Sequence, residues 1–223
     1  GVATFAGIKY SYPEAIYLRA SAASTSVPAI YSFQITLSTS TNNTMTAGPL
    51  AEPTTISSTA DTVADKVAIF DFRLTDSGGD GYPITVKQIA IRRALLTDTT
   101  GGWLSHIAGA QLSDGTTTWL GAITNDALLF GTGTSTLLTV SEGLTKTLTL
   151  SIHVMQILPA GADGKIIALS SDPNDDIIVD AIGSVFAAAA PLTSSLTLNV
   201  AASKFRGTGV DSILAAGGST VAT

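Results

Sequence analysis

Apolar and polar residues alternate along much of this chain. Tyr31, Phe33, Ile35 and Leu37 alternate with Ser32, Gln34 and Thr36, and Ala68, Phe70, Phe72 and Leu74 alternate with Ile69, Asp71 and Arg73. Leu148, Leu150, Ile152 and Val154 face one way and Thr147, Thr149, Ser151 and His153 the other; Leu196, Leu198 and Val200 repeat the pattern. Successive side chains of a strand point to opposite sides, so period two predicts strands with one apolar and one polar face. Between Ile84 and Ile91 the phase changes: Ile84 and Val86 share one phase, Ile89 and Ile91 the other. This predicts a β-bulge near Lys87-Gln88, the alternative being a strand buried on both faces.

Turn signals punctuate the runs: 76–81 (Asp-Ser-Gly-Gly-Asp-Gly), 113–115 (Ser-Asp-Gly), 131–133 (Gly-Thr-Gly), 162–164 (Ala-Asp-Gly) and 172–174 (Asp-Pro-Asn). Gly tolerates positive φ, and Asp, Asn and Ser bond their own backbone. No stretch holds a sustained helical period; residues 12–20 and 185–190 would hold one helical turn at most. The expected fold is all-β, an antiparallel β-sandwich of Ig-like or jelly-roll type with an extended N-terminal segment. The expected organisation is an N-terminal strand segment, or the end of a preceding module, over 1–46, a sandwich over 47–203 and a C-terminal extension over 204–223. Residues 38–60, rich in Ser, Thr, Asn and Pro, read as a linker or long exposed loop. Residues 219–223 read as the start of another strand.

Composition narrows the function classes. Charged residues are 13% of the 223, aromatics 6%, and the hydrophobic class 45%. Ser and Thr supply about a quarter of the chain, and β-branched Thr, Val and Ile favour the pleated sheet. Low charge with abundant Thr, Ser, Ala and Gly points to an extracellular or cell-surface β-protein. The net charge is −6, and Arg92-Arg93 is the only adjacent basic pair. Nothing there neutralises a run of phosphates, so nucleic acid and anionic membranes are poor partners. The absence of cysteine excludes disulfides, thiolate metal sites and cysteine nucleophiles. The longest apolar run, 185–192, is too short to span a bilayer. No signal peptide is visible, and the chain opens on Gly1 rather than Met, as a processed or excised chain would.

Few residues offer chemistry. The two histidines, His106 and His153, read as a loop residue and an exposed strand residue, and no nucleophile elbow, zinc-protease motif or phosphate loop is present. Asp172, Asn174, Asp175 and Asp176, with Asp180 nearby, form a candidate Ca²⁺ site; Asp76 and Asp80 form a weaker one. Turn chemistry is the reading preferred for both clusters, because Asp and Asn stabilise turns through their own side chains. Trp103 and Trp119 are the candidate carbohydrate platform, set against packing in or beside the core. Tyr10, Tyr12 and Tyr17 would anchor the N-terminal segment in a groove. Asn42-Asn43-Thr44 is an N-glycosylation sequon in a predicted exposed loop.

The block from Glu52 to about Ala202 resembles a repeat module of very large secreted surface proteins of Bacteroidetes-type bacteria. The resemblance runs collinearly through 52–58, Val67–Phe72, Leu74–Asp76, the Gly-rich turn at 78–81, Pro83–Thr85 and Ile89. It continues through Trp103, Ile107–Ala110, Leu112–Gly115, Lys146–Ile152, Gly183–Phe186 and Leu198–Val200. It covers about two thirds of the chain, implies a sandwich in an adhesive or structural array, and implies no catalytic residues.

The function expected from this reading is non-enzymatic: an extracellular structural or adhesive protein that self-associates, as tandem modules or as a fibre built by strand exchange. The segment carrying Tyr31, Phe33, Ile35 and Leu37 would be the donated strand. The alternative is a carbohydrate-binding module that takes surface glycans. A hydrolase and a viral capsid or tail protein rank below both.

Overall fold

The computed structural model describes residues 15–20, 29–36, 43–77, 81–180, 184–201, 212–215 and 219–222. Leu37, Tyr10, Tyr12, Asn42 and Asp80 lie outside them. Four two-residue strands come first: β1 (Ala15–Ile16), β2 (Arg19–Ala20), β3 (Ile30–Tyr31) and β4 (Ile35–Thr36). Next are β5 (Thr44–Ala47), β6 (Thr55–Ser57), β7 (Val67–Thr75), β8 (Ile84–Arg93), β9 (Ile107–Ser113), β10 (Thr118–Leu120), β11 (Ala122–Ile123) and β12 (Ala127–Phe130). The chain continues with β13 (Leu138–Val140), β14 (Thr145–Val154), β15 (Ile166–Ser171), β16 (Ile177–Val179), β17 (Leu192–Asn199), β18 (Ser212–Ala215) and β19 (Ser219–Ala222). A single 3₁₀ turn, Trp103–Ser105, interrupts the strands of the described residues.

Two sheets pack face to face, so the chain is an all-β sandwich. One has the order β10-β9-β14-β7-β5 and is antiparallel throughout. The other runs β11-β12-β8-β15-β17-β6, with β13 and β16 also on β8. Its pairs are antiparallel except β17–β6, which is parallel. The stripes meet as expected from their period. Phe70, Phe72, Leu74, Leu148, Leu150, Ile152 and Val154 from one sheet join Ile84, Val86, Ile89, Ile91, Ile167, Leu169, Leu196 and Leu198 from the other in one buried cluster. Each such side chain contributes about 1.5–3 kcal/mol on leaving water.

The phase change in β8 is a bulge. Val179 pairs with Val86 but Ile178 pairs with Gln88, so Lys87 is the extra residue. After it Ile89 returns to the core, fully buried. A second bulge leaves Ile69 unpaired, since Leu150 faces Phe70 and Ser151 faces Ala68. Ile69, assigned by simple alternation to the polar face, is fully buried.

The described part of 38–60 is not a loop throughout. β5 continues the first sheet with Met45 opposite Leu74, and β6 joins the second with Ile56 opposite Leu198. Met45 and Ile56 are buried. Single apolar residues between threonines carried the strand pattern beneath a loop-like composition. The sandwich therefore includes residues on the N-terminal side of 46. Asn43 is buried, and its carboxamide oxygen accepts the Ser77 N–H at 3.1 Å. Near the C-terminus, β18 and β19 pair as a two-stranded sheet, in line with the strand expected at 219–223.

Candidate functional site

The N-terminal segment forms two short antiparallel ladders. Ala15 and Ile16 pair with Thr36 and Ile35, and Arg19 and Ala20 with Tyr31 and Ile30. Ser32 ties them together: its N–H donates to the Leu18 carbonyl at 2.8 Å, and its Oγ accepts the Leu18 N–H at 2.9 Å. The single strand read over Ala29 to Leu37 is thus interrupted at 32–34, because Ser32 spends its backbone and hydroxyl on holding the turn. This segment displays apolar side chains. Tyr17, Leu18 and Tyr31 are exposed, and Phe33 is 95% exposed. Its only charged described residue is Arg19.

A second feature lies beside β17, near the β6 edge of the larger sheet. A cleft of about 420 Å³ opens between the turn at 94–97, the stretch Glu52-Pro53-Thr54 and the start of β17, with Ala168 on its floor. Its lining includes Thr97, Thr193, Ser194 and Ser195, and Glu52 is its only charged residue among the described residues. Asp98, whose carboxylate is buried, fixes the turn. Its Oδ1 accepts the Thr100 N–H at 2.9 Å and the Thr100 hydroxyl at 2.6 Å. Its Oδ2 accepts the Trp103 indole N–H at 2.9 Å and the Ala168 N–H at 3.1 Å. Arg93 Nη1 lies 3.6 Å away and offsets the buried charge. At the tip of this braced turn Leu95 and Leu96 stand exposed.

The two tryptophans pack in and beside the core, the reading set against a carbohydrate platform. Trp103 is fully buried, its indole N–H satisfied by Asp98, so it presents no face to a sugar. Trp119 is half-buried on the edge strand β10, packed against the core. The aspartates at 172–176 do not converge on an ion. Asp176 is buried; one carboxylate oxygen meets Arg92 Nε and the other accepts the Asp172 N–H at 2.8 Å. Asp172 Oδ1 accepts the Asn174 N–H at 2.9 Å, which is turn chemistry. Asp180 pairs with Lys87 at 3.5 Å. Asp76 is buried and its carboxylate accepts the Ile84 N–H at 3.1 Å. Among the described residues no group of three or more acidic or histidine side chains is arranged to hold a metal.

Both histidines are structural in their contacts. His106 is buried, not in an open loop; its Nδ1 lies 2.9 Å from the Gly102 carbonyl and 3.0 Å from Ser105 Oγ. A carbonyl only accepts, so Nδ1 carries the proton in that bond. His153 is half-buried rather than exposed, its ring lying on Gly109, where an added Cβ would sit 2.1 Å from Cε1.

Asp114, in the β9–β10 turn, is a carboxylate held by close partners. The Lys146 ammonium at 2.7 Å holds it well below the usual carboxylate range, helped by the N–H groups of Thr117 and Thr116. It anchors a hairpin. No family model, curated protein or solved structure matches the chain.

Proposed function

We propose that this chain is a non-enzymatic, extracellular structural or adhesive module that self-associates through its N-terminal segment. The observation that carries this reading is Phe33, 95% exposed beside the exposed Tyr17, Leu18 and Tyr31 on a narrow two-stranded element. Aromatic side chains grouped in water are the usual anchors of a protein–protein contact. The low-charge, Ser- and Thr-rich composition and the resemblance to modules of bacterial surface arrays support the cell exterior as its setting, with strand addition building tandem contacts or a fibre.

The test is sedimentation velocity and negative-stain imaging of the full chain against two variants. One lacks residues 1–42; a deletion reaching 46 would also strip β5 and the buried Met45. The other carries Phe33→Ser. The full chain is expected to form particles larger than a monomer and both variants to stay monomeric. Unchanged particles in both would remove the N-terminal segment from assembly.

A further inference from the structure

The cleft beside β17 is an open sheet edge. β6 pairs with β17 only through Thr55, Ile56 and Ser57, opposite Thr197, Leu198 and Asn199. The last bond of this parallel ladder is donated by the Thr197 N–H to the Thr54 carbonyl at 2.9 Å. Residues of a strand alternate in the direction of their backbone groups, so Ser195 and Thr193 direct their N–H and C=O the same way as Thr197. The opposite side of the pairing agrees. Ala168, the register partner of Ser195, sends its own N–H to Asp98 and its carbonyl to the Ala94 N–H, away from β17.

The pairing ends at Thr55, and the chain at Glu52-Pro53-Thr54 becomes a wall of the cleft instead of a strand. From Leu192 to Leu196, β17 therefore has no strand beside it on this side among the described residues. Edges are ordinarily blunted by lysine, proline or an inward charge. This one presents the exposed Thr193 and Ser195 and no charge of its own.

The geometry points to this cleft as the acceptor for the N-terminal hairpin of a second copy of the chain, docked through the side of Ile30–Thr36 on which, among the described residues, β3 and β4 have no strand partner. The inference rests on the self-association reading and adds its docking site. Three observations favour that occupant. The uncovered stretch of β17 is five residues, roughly 17 Å at strand spacing, and β3 and β4 with the three residues between them make a segment of comparable length. The exposed Leu95 and Leu96 flank the cleft with apolar surface suited to Tyr31 and Phe33. Charge matches as well: among the described residues Glu52 is the only charge lining the cleft, and Arg19, which pairs with Tyr31, is the only charge on the hairpin.

The experiment measures association of the full chain by sedimentation velocity, with circular dichroism and thermal melts reporting the fold of each variant. Ser195→Pro removes one outward N–H and leaves the ladder to β15 intact. Ser195→Lys places a charge on the edge and serves where proline disturbs folding. Each should weaken association about tenfold or more while the monomer fold is kept. Glu52→Arg and Arg19→Glu should each weaken it about three- to fivefold, and combining them should restore it. If Phe33→Ser abolishes association but the substitutions at Ser195 and Glu52 leave it untouched, assembly stands and this cleft is not its acceptor. If the unaltered chain is monomeric at millimolar concentration, the self-association reading itself fails.

Discussion

At the residue scale, polar side chains here are spent on holding backbone. Asp98, Asp114, Asp172 and Asp176 each accept main-chain N–H groups at a turn, so their charges are matched locally instead of being pooled at a site. Asp114 allows this to be measured. With its folded-state value lowered, it stabilises the fold fully above its unfolded value, near 4, and that contribution fades as pH falls through the lower folded value. Asp114→Asn keeps an oxygen for the Thr116 and Thr117 N–H groups and removes the charge facing Lys146. Lys146 is about a third exposed, so solvent screens much of the pair. We expect a loss of about 1 kcal/mol at pH 7. The gap between the two proteins should close as chemical denaturation is repeated at pH values from 5 down toward 2. A gap that stays constant with pH would mean the charge contributes nothing. The roles of these residues were only half legible in the sequence. Asp-rich turns were visible, but turn and calcium readings share the same letters, and only the direction of each carboxylate separates them. For Trp103 packing in or beside the core was one of the two readings, but its full depth was not legible, because its polar edge is satisfied by Asp98, a partner in its own loop.

At the element scale the period-two stripes and the bulge in β8 were legible, because a one-residue insertion flips the apolar phase and leaves a mark in the sequence. The bulge at Ile69 left none, since the residues on both sides of it are apolar. The short strands β5 and β6 were hidden by loop-like composition, and the open edge of β17 was invisible because it depends on where a parallel partner stops. The β8 bulge also shows how a distant glycine becomes obligatory. Gly131 has φ +87, and a Cβ there would lie 2.4 Å from the Lys87 carbonyl oxygen. Gln88 Nε2 donates to the Gly131 carbonyl at 3.1 Å, and the Gly133 N–H donates to the Lys87 carbonyl at 3.2 Å. Gly131→Ala combines a strained backbone with a backbone clash, so it should cost about 2–4 kcal/mol. Gly143→Ala is the control: its φ is +72 but nothing lies within 4 Å of an added Cβ, so it should cost only about 1 kcal/mol. Thermal melts of the two variants check the difference; equal losses would mean the clash relaxes freely and the bulge is not pinned.

At the scale of the whole molecule, charge opposes the assembly proposed here. Each copy carries −6. Two such bodies with centres about 40 Å apart repel by roughly 4 kcal/mol in water without salt. At 10 mM ionic strength the Debye length is about 30 Å, and about 1 kcal/mol of that repulsion survives; at 150 mM it is about 8 Å, and almost none does. The Arg19–Glu52 contact works the other way, but an exposed pair is worth less than about 1 kcal/mol and loses only part of that on screening. The net repulsion is therefore the larger salt-sensitive term. Association measured by sedimentation should strengthen a fewfold between 10 and 150 mM NaCl, and strengthen again as the pH is lowered toward the pI near 4.6. Arg19→Glu should steepen the salt dependence by adding two negative charges per chain relative to the native residue. An association that weakens as salt is added would show that attraction between opposite charges outweighs apolar contact, and would count against Phe33 and Tyr31 as its source.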